Sequence, residues 1–450
     1  MFTSNTNRRL GFHYFPDTLH YRESDLVTWL PELQALGAGW LTLPAPLNRA
    51  IPEYFVRGIL STGIQPVLHF NLPTHTPPLV RDLTPIFEAY AHWGVQYVVF
   101  FDRPNTRTAW TPASWAQNNL VERFLDLYLP TAEALLHSGL IPVFPPLEPG
   151  GDYWDTAFLQ AALHGMQRRG QSHLLEKLAL SAYAWTRNRP LNWGAGGPER
   201  WPKALPYQTL AGSEDQLGFR IFDWYLALAR AVLGHSCPIL LVGAGALPGD
   251  HHDSSYPAID PVLHAEMNLT IAKRMHSCEQ PDCQTSLEPV PPEVIACNFW
   301  LLACSPLHPS SSHAWYGPDG KNLPAVEMLK HWAALHSTPK SDQPVKAFVS
   351  KASEAIETSA EKMIGHYLLL PAYEWGISDW HLDVIRPFVK KHRPTVGFSV
   401  EEASRARQVT LIGGLQTFPD GVVARLTSAG CRVERIDGTG TEIATNLANL

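Results

Sequence analysis

An alternation constrains this chain more than any single motif. Eight short apolar, β-rich runs recur along its first two thirds, at residues 10–15, 39–43, 65–70, 97–101, 141–145, 178–185, 239–242 and 294–301. Between them lie stretches with helical spacing, such as Leu26, Trp29, Leu30, Leu33 and Leu36 at intervals of three and four. Gly37, Gly63 and Gly139 follow such stretches where helix C-terminal stops belong. Strands separated by helices run parallel, and eight βα units predict a closed (β/α)8 TIM barrel.

In that architecture functional groups gather at the C-terminal ends of the strands. Those ends are polar and aromatic here: His13 and Tyr14, His69 and Asn71, Asp102 to Asn105, Glu148 to Asp152, Tyr183 and Trp185, Gly243 to Asp250, then Asn298 and Trp300. A ring of this kind describes a ligand cleft, although any one member can equally cap a strand or satisfy a loop. The chain has 15 tryptophans and is 10% aromatic, which fits a large core or a set of platforms for sugar rings. A net charge of −7 supplies no basic footprint for nucleic acid or an anionic membrane. No apolar run approaches the roughly 20 residues that span a bilayer. Residues 1–9 are polar and lack a signal-peptide core, so the expectation is a protein without an export signal, cytoplasmic as the sequence stands.

Several segments resemble the clan A glycoside hydrolases, the cellulase-like barrels. Gly11-Phe-His-Tyr-Phe-Pro16, Trp29 and Leu36-Gly-Ala-Gly-Trp40 look like their first βαβ unit, and Ser61-Thr-Gly-Ile-Gln-Pro-Val67 like their entry to strand three. Phe101-Asp-Arg-Pro-Asn105 with Trp110 resembles the acid-bearing motif, whose usual form is Asn-Glu-Pro-Asn followed by a Trp. Ile239-Leu-Leu-Val-Gly-Ala-Gly-Ala246 resembles the strand that ends in the nucleophilic Glu. Retaining enzymes of that kind need two carboxyl groups about 5–5.5 Å apart. The matching positions hold Arg103 and Gly243, or Ala244 if the register slips by one. Arginine stays charged and has no acceptor, so it cannot lend and retrieve a proton. The resemblance thus implies a barrel that keeps the scaffold without the usual catalytic pair.

Other carboxylates are fallback candidates: Asp102, expected to point away on a pleated strand, and Glu148, Asp152 and Asp250. A metal reading of Gly249-Asp-His-His-Asp253 is weak, because adjacent loop histidines seldom share one ion, and neither a metal nor a cofactor is expected. The six cysteines form no C-x-x-C pair and read as ordinary thiols, with a disulfide or labile metal site at Cys278 and Cys283 as the alternative.

After a polar stretch at 338–363, residues 364–450 read as a small α/β domain of flavodoxin or Rossmann type, with strands at 367–371, 408–414 and 432–436. Its Val409-Thr-Leu-Ile-Gly-Gly414, Arg432-Val-Glu-Arg-Ile-Asp-Gly438 and Thr441 resemble the type 2 cell-wall-binding repeat. Only one copy is present, and the Arg-Tyr expected after the last Gly is missing. This resemblance implies a cell-surface context.

The reading that follows is a non-catalytic barrel that binds a carbohydrate or a cell-surface partner, another protein included. The residues expected at the ligand are His13, Tyr14, His69, Asp102, Arg103, Asn105, Trp110, Glu148, Tyr183, Trp185, Asn298 and Trp300, with Arg103 hinting at an acidic sugar. One alternative is an active hydrolase built on the displaced carboxylates. The other is an assembly protein whose cleft is plugged by its own loops, the proline-containing stretch 305–321 among them.

Overall fold

The computed structural model describes residues 8–276, 285–336, 364–371 and 379–448. The chain divides into two compact units, Met1–Ser341 and Asp342–Leu450. Cys278, Cys283 and the polar stretch 338–363 lie outside the described residues.

The first unit is a (β/α)8 barrel. Its strands are β1 (Leu10–His13), β2 (Trp40–Pro44), β3 (Gln65–Phe70), β4 (Tyr97–Phe100), β5 (Ile141–Val143), β6 (Leu180–Trp185), β7 (Ile239–Gly245) and β8 (Val294–Phe299). All pair in parallel, in the order β5-β4-β3-β2-β1-β8-β7-β6. The seam between β5 and β6 is closed sparingly. Val143 and Ala179 form a single bridge, the Phe144 amide donates to the Ala179 carbonyl (2.8 Å), and the Ser181 hydroxyl donates to the Phe144 carbonyl (2.6 Å).

Side chains that alternate along each strand sort into two layers. Trp40, Val67, Tyr97, Val99, Val143, Ala179, Leu240, Val242 and Ala296 fill the barrel. Phe100, Phe124, Tyr128, Phe144 and Phe158 form an aromatic seam between the sheet and the helices Leu120–His137 and Asp155–Arg168. Much of the aromatic content is therefore packing. The glycine stops after the helices Glu23–Ala35, Glu53–Ser61 and Leu120–His137 all take positive φ, between 73° and 85°, which glycine adopts without a Cβ clash.

The C-terminal part of the stretch 305–321 runs along the outside of the barrel, where Trp315 stacks on Phe299 and meets Phe12 edge-on, while Tyr316 bonds Glu32. Its backbone is tied to β8's exit by Trp315 and Tyr316 amides that donate to the Leu301 and Leu302 carbonyls.

The second unit is a parallel four-stranded sheet, β9 (Ile364–Leu369), β10 (Thr395–Gly397), β11 (Ala406–Ile412) and β12 (Arg432–Ile436), in the order β10-β9-β11-β12. Leu368, Leu370, Ile412 and Ile436 face the helices Asp379–His392 and Gly440–Ala448. Tyr367, Leu369, Val409 and Leu411 face the other side, against Ala403 and Leu426 of the helices Val400–Ala403 and Asp420–Ser428. Helices on both faces make this a doubly wound α/β sheet. Among the described residues, no helix is long and apolar enough to cross a membrane.

Candidate functional site

The barrel mouth is built by a local break in β4. Tyr97 and Val99 point inward, so Phe101 should follow them. Instead Phe101 takes φ 66°, and its ring packs outward on Phe100 and Phe124. The alternation slips by one, and Asp102 faces the mouth, contrary to its expected outward direction. Its Oδ1 accepts from the Tyr183 hydroxyl at 2.8 Å and its Oδ2 from Arg103 Nε at 3.0 Å. Burial, then Asp102 itself, raises the Tyr183 pKa well above its ordinary value, so the phenol stays a donor.

Arg103 also has a left-handed backbone (φ 45°). Its guanidinium lies over the Tyr183 ring, 5.2 Å from the centroid, and reaches Glu148 Oε2 at 3.5 Å. Glu148 Oε1 accepts from Arg187 at 3.1 Å. Arg187 was not among the sequence candidates. It lies two residues beyond Trp185 in the same strand exit, and its own positive φ (51°) starts the loop that follows β6. Two carboxylates and two guanidiniums thus form one alternating row, Asp102, Arg103, Glu148, Arg187. The charge of Arg103, read from the sequence as a hint of an acidic sugar, is already matched inside the protein.

Beside this row stands an aromatic corner. Trp185 stacks on Tyr183 at 5.3 Å and meets Trp300 at 82°, 6.1 Å between centroids. Both tryptophans are half-buried. Trp300 packs on His13 at 4.5 Å. Burial, helped by His69, lowers the His13 pKa to about 3. His69 is lowered by burial as well, and its Nε2 donates to the Phe101 carbonyl at 3.0 Å. A carbonyl can only accept, so the neutral ring carries its proton on Nε2 and presents Nδ1 as an acceptor.

The mouth thus brings together His13, His69, Asp102, Arg103, Glu148, Tyr183, Trp185 and Trp300. Four other expected ligand residues sit elsewhere. Tyr14 is fully buried on the outer face of the barrel, against Phe15, Tyr21 and Phe55. Trp110 is buried, donates to the Pro104 carbonyl, and is covered by Arg123. Asn105 is fully buried and clamps two loops: its amide donates to the Glu148 and Tyr153 carbonyls, and its oxygen accepts from the Glu148 amide. Asn298 is fully buried in the barrel below the mouth and donates to the Leu241 carbonyl.

Two fallback acids are engaged by loop residues. Asp152 accepts from the Arg107 amide and pairs with its side chain at 3.3 Å. Asp250, 8% exposed, bonds the amide and ring of His252. Among the described residues, no group of three or more His, Cys, Asp or Glu side chains is arranged to hold a metal.

Gly243 explains itself through Trp185. A Cβ built at 243 would lie 2.6 Å from the indole and 3.0 Å from the Tyr183 ring. The stacked pair occupies the space into which a side chain at this position would project.

No family model and no curated protein matches the chain. Among solved structures, it is similar to a family 51 α-L-arabinofuranosidase from Bifidobacterium longum, with 13% identity, a TM-score of 0.43, and 74% of each chain covered. A Bacteroides uniformis β-glucuronidase covalently bound to cyclophellitol-6-carboxylate aziridine gives 11% identity and a TM-score of 0.43, over 82% of this chain and 38% of that one. A GH128 endo-β-1,3-glucanase from Sorangium cellulosum gives 12% and 0.40, over 75% of this chain and 100% of that one. Similarity this distant transfers no residue's role.

Proposed function

We propose that the barrel mouth binds a saccharide and does not cleave it by a paired-carboxylate route. The observation that carries this reading is the Trp185 ring standing where a side chain at 243 would project. It removes the place for a nucleophile and leaves an aromatic face in its stead, and an indole face packs well against the C–H face of a pyranose. Between the two carboxylates that remain at the mouth lies the guanidinium of Arg103, where a cleaving pair would hold the scissile bond. Asp102 and Glu148 then serve as hydrogen-bond acceptors that hold the row in place.

Calorimetric titration of a panel of oligosaccharides, run beside a hydrolysis screen of the same panel, tests this. Binding without turnover is expected, with Trp185→Ala weakening it by about tenfold, the loss of roughly 1–3 kcal/mol of buried ring surface. Turnover that vanishes in Asp102→Asn or Glu148→Gln would overturn the reading in favour of a hydrolase with displaced carboxylates. The inward turn of Asp102 is the observation that favours that alternative. The assembly-block alternative needs Trp185 and Trp300 inaccessible, and both are half-buried.

For the second unit we propose attachment to a cell-wall polymer. Support comes from the repeat-like order of strand β11, Gly413-Gly414, the helix Asp420–Ser428, strand β12 and Thr441, which lies in the first turn of the last helix, Gly440–Ala448. Co-sedimentation of the full chain with purified wall material is its test, and a chain that stays in the supernatant sinks it.

A further inference from the structure

The mouth contains more charge than its balance shows. Asp102 and Glu148 are matched one for one by Arg103 and Arg187, at 3.0, 3.5 and 3.1 Å. The two histidines beside them are 6% and 8% exposed, and burial favours their neutral rings. Beside this charge-balanced row, the groups offered to a ligand are uncharged: the right-angled faces of Trp185 and Trp300, and the acceptor Nδ1 of His69. A ligand carboxylate would meet Asp102 and Glu148 as like charges. The Arg103 side chain is 47% exposed, but a carboxylate that reached it would add a third negative charge beside a guanidinium that Asp102 and Glu148 already balance.

We infer that this mouth selects neutral saccharides and rejects uronates of the same size. This rests on the saccharide-binding reading above and specifies its ligand class. The sugar ring packs into the corner of Trp185 and Trp300, and a ligand hydroxyl donates to His69 Nδ1. The four charged side chains work as a closed set that holds the loops after β4, β5 and β6 in register, and as a filter against anions.

The test uses the full chain and matched probes: neutral gluco- and arabino-oligosaccharides against oligogalacturonate and oligoglucuronate of equal length. The expected result is at least tenfold tighter binding of one neutral probe, with a Kd that holds between about 0.05 and about 0.5 M salt, since no net charge is engaged. Uronate binding that is equal or tighter, and that weakens with salt, overturns the inference while the saccharide reading stands. Failure of every neutral and acidic probe overturns both. The double variant Asp102→Asn/Glu148→Gln leaves both guanidiniums unmatched and should gain uronate binding that salt abolishes. His69→Phe should lose about tenfold in neutral binding, one hydrogen bond's worth. Unfolding curves of both variants confirm that they fold, and the wild-type comparison decides the inference without them.

Discussion

His264 is fully buried on the helix Pro261–Met275, and neither of its ring nitrogens has a hydrogen-bond partner among the described residues. It packs edge-on against Trp315 at 5.5 Å, and burial, then His313, lowers its pKa to about 4. In the unfolded chain the same ring titrates near 6.5. Between those values the unfolded state holds the proton that the folded state refuses, so stability falls as pH drops, by roughly 1.4 kcal/mol per pH unit for such a group. His13 adds a similar slope down to about 3. His264→Leu is therefore expected to equal or exceed the wild type at neutral pH and to flatten its acid decline. Urea unfolding at pH 7 and pH 5 checks this, and an unchanged slope would sink it. At this scale the sequence was legible only in part. The ring of polar strand ends marked the mouth, because barrel geometry places such ends together. Which members face it depends on single dihedral angles: Phe101 turns Asp102 inward, and no periodicity announces that. Asn105 and Trp110 look like ligand residues by type, but their polar atoms serve backbone groups that only the folded loops bring near.

At the scale of elements, Asn105 is the pin between the loops that follow β4 and β5. Gly151 makes room for it, since a Cβ there would lie 2.5 Å from the Asn105 amide nitrogen. Asn105→Ala strands the Tyr153 carbonyl and the Glu148 amide, while the Glu148 carbonyl keeps the Gly151 amide, and a loss of about 2–4 kcal/mol is expected from unpaired buried groups. Because Glu148 hangs on the same loop, saccharide binding should weaken together with stability. A variant that keeps full binding at wild-type stability would contradict this role. The strands themselves were the most readable part of the chain, because continuous apolar runs between helical repeats have few other uses. Strand β10 carries no sequence signal: Thr395–Gly397 is three residues long, largely exposed, and at the edge of its sheet. A run that short shows no period.

For the molecule as a whole, the barrel's integrity depends on its sparsest seam. Seven of its eight strand junctions are ladders, and the β5–β6 junction rests on one bridge and the Ser181 hydroxyl. Ser181→Ala should cost about 1–2 kcal/mol, with faster hydrogen exchange at the Phe144 amide before any change in β1 or β8. Exchange that rises evenly around the barrel would refute a weak seam. Gly243 has a consequence of another kind. An acidic side chain introduced there meets the indole of Trp185 before it reaches the open mouth. On the proposed saccharide-binding reading, placing a carboxylate at 243 needs both positions to change together, or needs Trp185 to shrink first and surrender its proposed stacking face. On that reading, single-step selection for hydrolysis runs against a ratchet, because a side chain at 243 strains the packing before it can act. A directed-evolution library of single substitutions would miss what a paired library at 185 and 243 could reach.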